Sequence, residues 1–225
     1  MKPLKNFPTL LLVCSLVISA TSCVTPEKMD KFIGLQYDNK FPAQKKKSEI
    51  KVTPSLPADT SRISFTTHKL TSLLPLIVYW RSTDLWEIKL NQAFAVTNFA
   101  NTLNGSAGKI ILDKLHGQKL ELTIEQVPSD FAIDAIGHIV WVIYAFSWEK
   151  DRIRPDVRDL VVSYKYQLPD GTPKSGKITV KNTMQIENMR YLQSWRNAIS
   201  EHLTEYNASI IAMTKAFASQ LAKEI

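Results

Sequence analysis

The stretch IGHIVWVIYAFSW, residues 136–148, decides what kind of sheet this chain builds. Large apolar side chains stand at both parities: Ile139, Trp141 and Ile143 would point to one side of a strand, and Val140 and Val142 to the other. A strand with one solvent-facing side alternates apolar and polar residues, so this pattern predicts a central strand covered on both faces. The apolar run is too short for a helix that spans a bilayer, which needs about 20 residues.

Composition indicates a packed globular domain of ordinary size. The chain has 225 residues, of which 44% are hydrophobic and 22% charged, as in typical soluble domains. Its net charge of +7 is compatible with an anionic partner. The basic residues are scattered, however, and are not gathered with aromatic residues into one patch. We therefore expect no nucleic-acid partner.

The N-terminus has the pattern of an export signal. Met1 to Lys5 provides a positive start, Thr9 to Ala20 is apolar, and Thr21-Ser22-Cys23 follows. The apolar run is too short for a spanning helix and is followed at once by small residues, so residues 1–22 are predicted to be a signal peptide. Ala20-Thr21-Ser22-Cys23 resembles the lipobox of bacterial lipoproteins, which implies that Cys23 is lipidated and becomes the mature N-terminus. The alternative is an ordinary signal peptide with an incidental cysteine.

The segment after Cys23 reads as a link between anchor and domain. It carries Pro26, Pro42, Pro54 and Pro57, a run of three lysines at residues 45–47, and few aromatic residues. This composition predicts an extended tether over residues 23–60 and a single domain over residues 61–225. Removal of the signal peptide takes away Cys14, so no disulfide is expected and the domain must rely on its core.

Alternating patterns predict the strands of this domain. Residues 63–67, 119–125, 160–167 and 177–181 alternate in this way, and Pro169-Asp170-Gly171 marks a turn between the last two. Residues 76–80 and 85–90 read as a hairpin, with a helix that begins at Asp84 as the alternative. Short connections favour an antiparallel meander.

Two helices complete the predicted fold. Asn91 is a suitable N-cap for a short helix that ends at Asn104-Gly105. The second helix, from about Met189 to Lys223, has large apolar residues spaced by about 3.6 positions, and this stripe would cover one face of the sheet. The predicted fold class is α+β, a two-layer sandwich in which a short helix and a long C-terminal helix pack on a mostly antiparallel sheet.

Residues that could carry catalysis or bind a metal are dispersed. The four histidines do not share a metal-ligand spacing, and no nucleophile elbow, phosphate loop or zinc-protease motif occurs in the sequence. We therefore expect no metal, no cofactor and no enzymatic activity. His138, at the start of the apolar stretch, is the histidine that a hydrolase would most plausibly use.

The order of elements behind Cys23 resembles two groups of periplasmic lipoproteins. These are the auxiliary lipoproteins of ABC-type lipid transport and the lipopolysaccharide-assembly lipoprotein, both α/β sandwiches. The resemblance covers the layout of residues 62–224 and implies a role in moving or placing lipid within a membrane complex. It also implies a lipid anchor in the membrane and a protein partner in an envelope complex. Val24, where other lipoproteins carry an inner-membrane retention Asp, favours the periplasmic face of the outer membrane.

The predicted partner surface is the apolar segment around Pro75. Because the stripe of the C-terminal helix is expected to be satisfied by the sheet, Leu76, Val78 and Trp80 are the candidate partner-binding residues. A carbohydrate-binding or ligand-binding lipoprotein is an alternative, which requires exposed, coplanar aromatic rings. The candidates for these rings are Trp80, Trp86, Trp141 and Trp148. A periplasmic hydrolase is the third possibility, and it requires a clustered pair of titratable groups in a cleft.

Overall fold

A computed structural model describes residues 24–38, 50–56, 62–74, 77–116 and 118–225. Its elements in chain order are α1 (Pro26–Asp38), β1 (Ile50–Pro54), β2 (Arg62–Leu74), β3 (Ile77–Lys89), α2 (Ala93–Thr102), α3 (Gly108–Leu115), β4 (Leu120–Gln126), β5 (Asp130–Trp141), β6 (Ala145–Pro155), β7 (Leu160–Gln167), β8 (Pro173–Val180), β9 (Glu187–Asn188) and α4 (Trp195–Glu224). A single widened helical turn, Leu103–Ala107, joins α2 to α3.

The strands form two sheets. One has the order β1-β4-β7-β8, and the other has the order β2-β3-β5-β6-β9. All neighbouring strands are antiparallel except β1 and β4, which run parallel with Ile50 opposite Leu120. The meander predicted for one sheet is therefore divided: β4, β7 and β8 belong to the first sheet, whereas β5 and β6 belong to the second.

The core lies between the inner face of the four-stranded sheet, one end of the five-stranded sheet and the helices. Alternate residues of β4 and β7 are buried, as their sequence pattern predicts. The α4 helix begins at Trp195, not near Met189 as predicted, and the hydroxyl of its N-cap, Ser194, accepts from the Asn197 N–H. From Ile199 onward the helix buries the predicted apolar stripe. The buried members of that stripe are Ile199, Leu203, Tyr206, Ile210, Met213, Phe217 and Leu221. The fold is α+β, with a long C-terminal helix packed on mostly antiparallel sheet, as predicted.

The described parts of the predicted tether belong to the domain. The α1 helix buries Met29 and Ile33 in the core, and its Phe32 ring meets the Trp195 ring edge-on at 5.3 Å. β1 adds an edge strand to the four-stranded sheet. The prediction of an extended linker is therefore wrong for residues 24–38 and 50–56. The rest of that segment lies outside the described residues.

The hairpin predicted within residues 76–90 is also wrong, as is its helical alternative. Residues 77–89 form one continuous strand, β3, and its hairpin partner is β2. Polar residues 81–84, which suggested a turn, lie in the middle of β3. There they pair with residues 67–70 of β2 and 135–138 of β5, and Ser82 lies between Lys69 and Gly137.

The stretch that predicted a covered central strand takes a different form. β5 ends at Trp141, residues 142–144 make a tight turn, and β6 returns from Ala145. The Val142 N–H donates to the Tyr144 carbonyl at 3.2 Å within this turn. Residues 136–141 belong to β5, which is the middle strand of its sheet as predicted, and Ile136 is buried. From Trp141 onward the side chains at both parities are exposed, not covered, and Ile143 at the tip is 82% exposed. Apolar residues on both sides of the strand here mark the free end of a hairpin.

Candidate functional site

Two hairpin ends lie side by side at one end of the five-stranded sheet. The β2–β3 hairpin reaches it with residues 70–74 and 77–80, and the β5–β6 hairpin with residues 139–148. None of these ranges contains a charged residue. We call the described residues of these ranges the apolar end of the sheet. They stand at the opposite end of the strands from Ile88 and Phe131, which are buried in the core.

Strand register assigns the side chains of the apolar end to two faces. Val78 pairs with Trp141, and Trp80 with Ile139, which places these four on one face. The other face carries Ile77, Tyr79, Val140, Phe146 and Trp148. Most of these side chains are at least one-third exposed on both faces, including Trp141 at 59% and Trp148 at 50%. The surface is therefore apolar around the whole end of the sheet, and not along one groove.

His138 belongs to a small aromatic group on the second face. Its ring lies parallel to the Trp148 ring, at 10° and 4.9 Å between centroids, and its Nδ1 is 2.8 Å from the Tyr79 hydroxyl. The described structure thus gives this histidine a phenol and an indole as partners, and no carboxylate. A hydrolytic site built on a base needs a third group that orients it. The group as it stands is a stacked aromatic surface with one polar edge.

Charged side chains begin below the apolar end. Asp134, which is nearly fully buried, forms ion pairs with Arg152, whose Nε lies 2.7 Å from its carboxylate, and with Arg154, whose Nε lies 2.9 Å away. On the other face, burial and the neighbouring Glu149 raise the pKa of Asp151 to about 6. The sheet therefore changes from charged to uncharged along its strands, with the apolar side chains at the free end.

A different histidine meets carboxylates. His202 of α4 lies with its Nδ1 3.2 Å from Glu187, and its ring packs on Phe131 at 4.7 Å. The hydrogen bond with His202 lowers the pKa of Glu187, and the hydrogen bond with Glu187 raises the pKa of Glu205. The His202 ring is buried, with almost no access from solvent. This cluster therefore joins β9 to α4, and nothing in its geometry presents the imidazole to a substrate.

The four candidate tryptophans do not form one coplanar platform. Trp86 packs on Phe65 at 4.3 Å and against the core, whereas Trp80 is half-buried within the sheet. Trp141 and Trp148 are exposed, but strand register places them on opposite faces. Trp80 shares the face of Trp141 but is half-buried, so the two well-exposed rings are not gathered on one side of the sheet.

Four residues were predicted from sequence to carry function. Cys23 and Leu76 lie outside the described residues, and Val78 and Trp80 lie at the apolar end. Val78 is exposed beside Trp141, and Trp80 is half-buried two residue pairs further from the tip. Sequence reasoning did not include Trp141, Ile143, Tyr144 and Phe146 in this surface. The signal that could have found them was the charge-free run of 139–148, which matches the charge-free run of 70–80.

Comparison of the chain with protein-family models, with curated proteins and with solved structures finds no match. Within the described ranges, no three His, Cys, Asp or Glu residues come together as a metal site. Among the described helices, none has the length and hydropathy to cross a membrane.

Proposed function

We propose that this protein is a lipid-anchored lipoprotein of the periplasmic face of the outer membrane that works as a non-enzymatic binding or assembly module, in transport of lipid or another envelope component. The observation that carries the binding role is the apolar end of the five-stranded sheet. It presents some ten large apolar side chains to solvent around two hairpin tips. Contiguous exposed apolar surface of this kind typically marks an interaction site.

The anchor part of the proposal rests on the sequence at Cys23 and its lipobox-like neighbours. The structure adds a geometric consequence for such an anchor. Val24 packs against the core, and α1 begins at Pro26. Acyl chains on Cys23 would therefore keep the domain near the bilayer surface, where a second part of the domain can also contact lipid.

The anchor is tested by replacing Cys23 with Ser and fractionating the cells. Two or more acyl chains give stable membrane attachment, so we expect the wild type to stay with membranes through a carbonate wash and the variant to be released. Retention of Cys23→Ser in the washed membranes would contradict the anchor. Separation of inner and outer membranes on a density gradient then tests the outer-membrane assignment.

The binding surface is tested by photo-crosslinking in intact cells. A benzophenone amino acid replaces Phe146, at the apolar end, or Tyr191, which is 94% exposed and lies between β9 and α4. Both sites are solvent-facing aromatics, so neither replacement disturbs the core. We expect a defined protein or lipid adduct from position 146 and none from position 191. Equal adduct patterns from the two sites would contradict the assignment of the working surface.

The side chains that sequence analysis singled out supply a second test. Val78 and Trp80 lie on one face of the apolar end, and the indole of Trp80 is only partly buried. Trp80→Ala is expected to leave a folded protein whose adduct yield from position 146 falls. An unchanged yield in a folded Trp80→Ala protein would remove Trp80 from the binding surface.

A further inference from the structure

We infer that the occupant of the apolar end is a phospholipid bilayer: the two hairpin tips insert at the lipid–water interface of the membrane that carries the anchor. This inference deepens the proposed function and rests on it, because the anchor brings the domain to the membrane. The observation behind it is the distribution of side chains on the two faces and along the strands of β2, β3, β5 and β6.

Apolar side chains on both faces of the sheet favour lipid that surrounds this end over a protein partner that binds in a groove. A protein that docks on a sheet covers one face or pairs with one edge. Here apolar side chains project from both faces, with Trp141 on one and Phe146 on the other, and also from the turn itself, where Ile143 and Tyr144 are exposed. Lipid is the partner that encloses a hairpin end on every side.

Side chains change from apolar to charged with distance from the tip. Val142, Ile143 and Tyr144 form the turn of the β5–β6 hairpin. The next residue pairs combine aromatic side chains, such as Trp80, Trp141 and Trp148, with aliphatic ones. Charged groups follow, at Lys69, Arg81, Glu149 and Lys150. Membrane interfaces likewise place charged residues outside an apolar zone, with Trp and Tyr at the headgroup level.

The height of the apolar end fits the interface and not the whole bilayer. Arg81 lies four residue steps along β3 from Ile77, which is about 14 Å at roughly 3.4 Å per residue. This is comparable with the roughly 5–10 Å depth of interfacial segments and far below the roughly 30 Å hydrocarbon thickness.

Unpaired backbone groups at the sheet edges also limit how deep the apolar end can enter the bilayer. β2 is an edge strand of the sheet. On its side away from β5, β6 is paired only by β9, at Arg152 and Ile153, so in the described structure the apolar part of β6 is also an open edge. Open sheet edges are not stable within hydrocarbon, where their N–H and C=O groups find no water. The tips are therefore expected to reach the hydrated interface and stop there.

The test uses the full, lipid-anchored protein in vesicles of phosphatidylethanolamine and phosphatidylglycerol, with bromine on part of the acyl chains. Bromine quenches tryptophan fluorescence only at short range, and Trp141 and Trp148 are at the apolar end. We expect strong quenching in the wild type and a large loss of it in a Trp141→Phe, Trp148→Phe double variant. The double variant keeps Trp80, Trp86 and Trp195. Trp86 and Trp195, which pack on Phe65 and Phe32, lie outside the apolar end and give the reference signal, and any residual quenching is assigned to Trp80.

A charged tip provides the matched perturbation. Ile143→Asp is expected to reduce the quenching of Trp141 and Trp148, because a carboxylate at the tip resists transfer from water. Leu192→Asp places the same charge on an exposed apolar residue outside the sheet and is expected to leave quenching at the wild-type value. Both positions are exposed, and far-ultraviolet circular dichroism checks that each variant is folded.

The outcomes separate this inference from the proposed function. Protein that fails to remain with the vesicles contradicts the anchor. Protein that remains with them while the tip tryptophans are unquenched contradicts bilayer insertion. Sedimentation of the anchored protein in detergent as an oligomer, lost in Ile143→Asp, would identify a second copy as the occupant and overturn the inference in favour of self-association.

Discussion

One substitution made at two isoleucines distinguishes the core of the protein from its working surface. Ile210 lies in the middle of α4 and is fully buried, whereas Ile143 lies at the tip of the β5–β6 hairpin and is exposed. Replacement of Ile210 by Asp removes about 1.5–3 kcal/mol of burial. It also places an unpaired carboxyl in the core, at a cost of roughly 2–7 kcal/mol.

The combined cost of Ile210→Asp is therefore about 4 kcal/mol or more, against a total stability of about 5–15 kcal/mol for a typical domain. With a urea dependence of about 1–3 kcal/mol per molar, the unfolding midpoint should fall by at least about 1 M. Ile143→Asp should shift the free energy of unfolding by no more than about 0.5 kcal/mol, as exposed positions do.

The assay is urea unfolding of the purified protein in mild detergent, followed by far-ultraviolet circular dichroism. Equal midpoints for Ile210→Asp and the wild type would show that the stripe of α4 is not core. A loss of stability in Ile143→Asp as large as that in Ile210→Asp would show that the hairpin tip is packed inside the free protein. Either result would refute the assignment of the two surfaces.

Three further substitutions have defined outcomes. Asp151 has its pKa raised to about 6 from 3.8, so the folded state binds its proton more tightly than the unfolded chain and loses stability as pH rises through this range. At pH values above 6, Asp151→Asn should therefore have a higher urea midpoint than the wild type, and this difference should vanish below pH 4. An equal increase in the midpoint at high and low pH would show that it does not come from the charge of Asp151. Asp134→Ala removes a buried carboxylate bound by two arginines and should cost about 2 kcal/mol, a loss that Asp134→Asn only partly restores. The same unfolding assay checks this, and a neutral result would mean that the arginines are fully satisfied by water. Tyr206→Phe removes the hydroxyl that donates to the buried Pro128 carbonyl at 2.6 Å. The free energy of unfolding should fall by about 1–3 kcal/mol in the same assay. An unchanged midpoint would show that this hydrogen bond does not stabilise the fold.

Sequence periodicity succeeded where each segment has one buried face. The alternation of β4 and β7 and the stripe of α4 from Ile199 to Leu221 each report contact with a single core surface. Such patterns encode the environment directly, because one side of the element must be apolar and the other polar. The α+β class and the C-terminal helix follow from these elements.

The same reasoning failed where a pattern has two physical causes. Apolar residues at both parities occur in a strand buried on two faces and also in a hairpin end exposed on two faces, and residues 136–148 are the second case. Val142, Ile143 and Tyr144 form the turn without Gly, Pro, Asn or Asp, which are the usual turn residues. The α1 helix was missed because its apolar pattern is weak. Only Met29 and Ile33, one helical turn apart, are buried in the core, and most of the residues around them are polar.

The pairing of the two hairpin ends depends on contacts between residues far apart in sequence. Val78 and Trp141 become neighbours only through the long-range pairing of β3 and β5. Half of the candidate surface, at Val78 and Trp80, was predicted from the apolar segment around Pro75, because the stripe of the C-terminal helix was expected to be satisfied by the sheet. The other half was assigned to the core, since a strand so apolar is ordinarily buried.

The most direct test of the working surface is the accessibility of a cysteine at its tip. Ile143→Cys and Leu192→Cys, both at exposed positions, are treated with a water-soluble maleimide in isolated membranes and again after detergent extraction. We expect the thiol at position 143 to be protected in membranes and reactive in detergent, whereas the thiol at position 192 reacts in both. Equal and rapid labelling of position 143 in membranes and in detergent would contradict the claim that the apolar end is covered at the membrane.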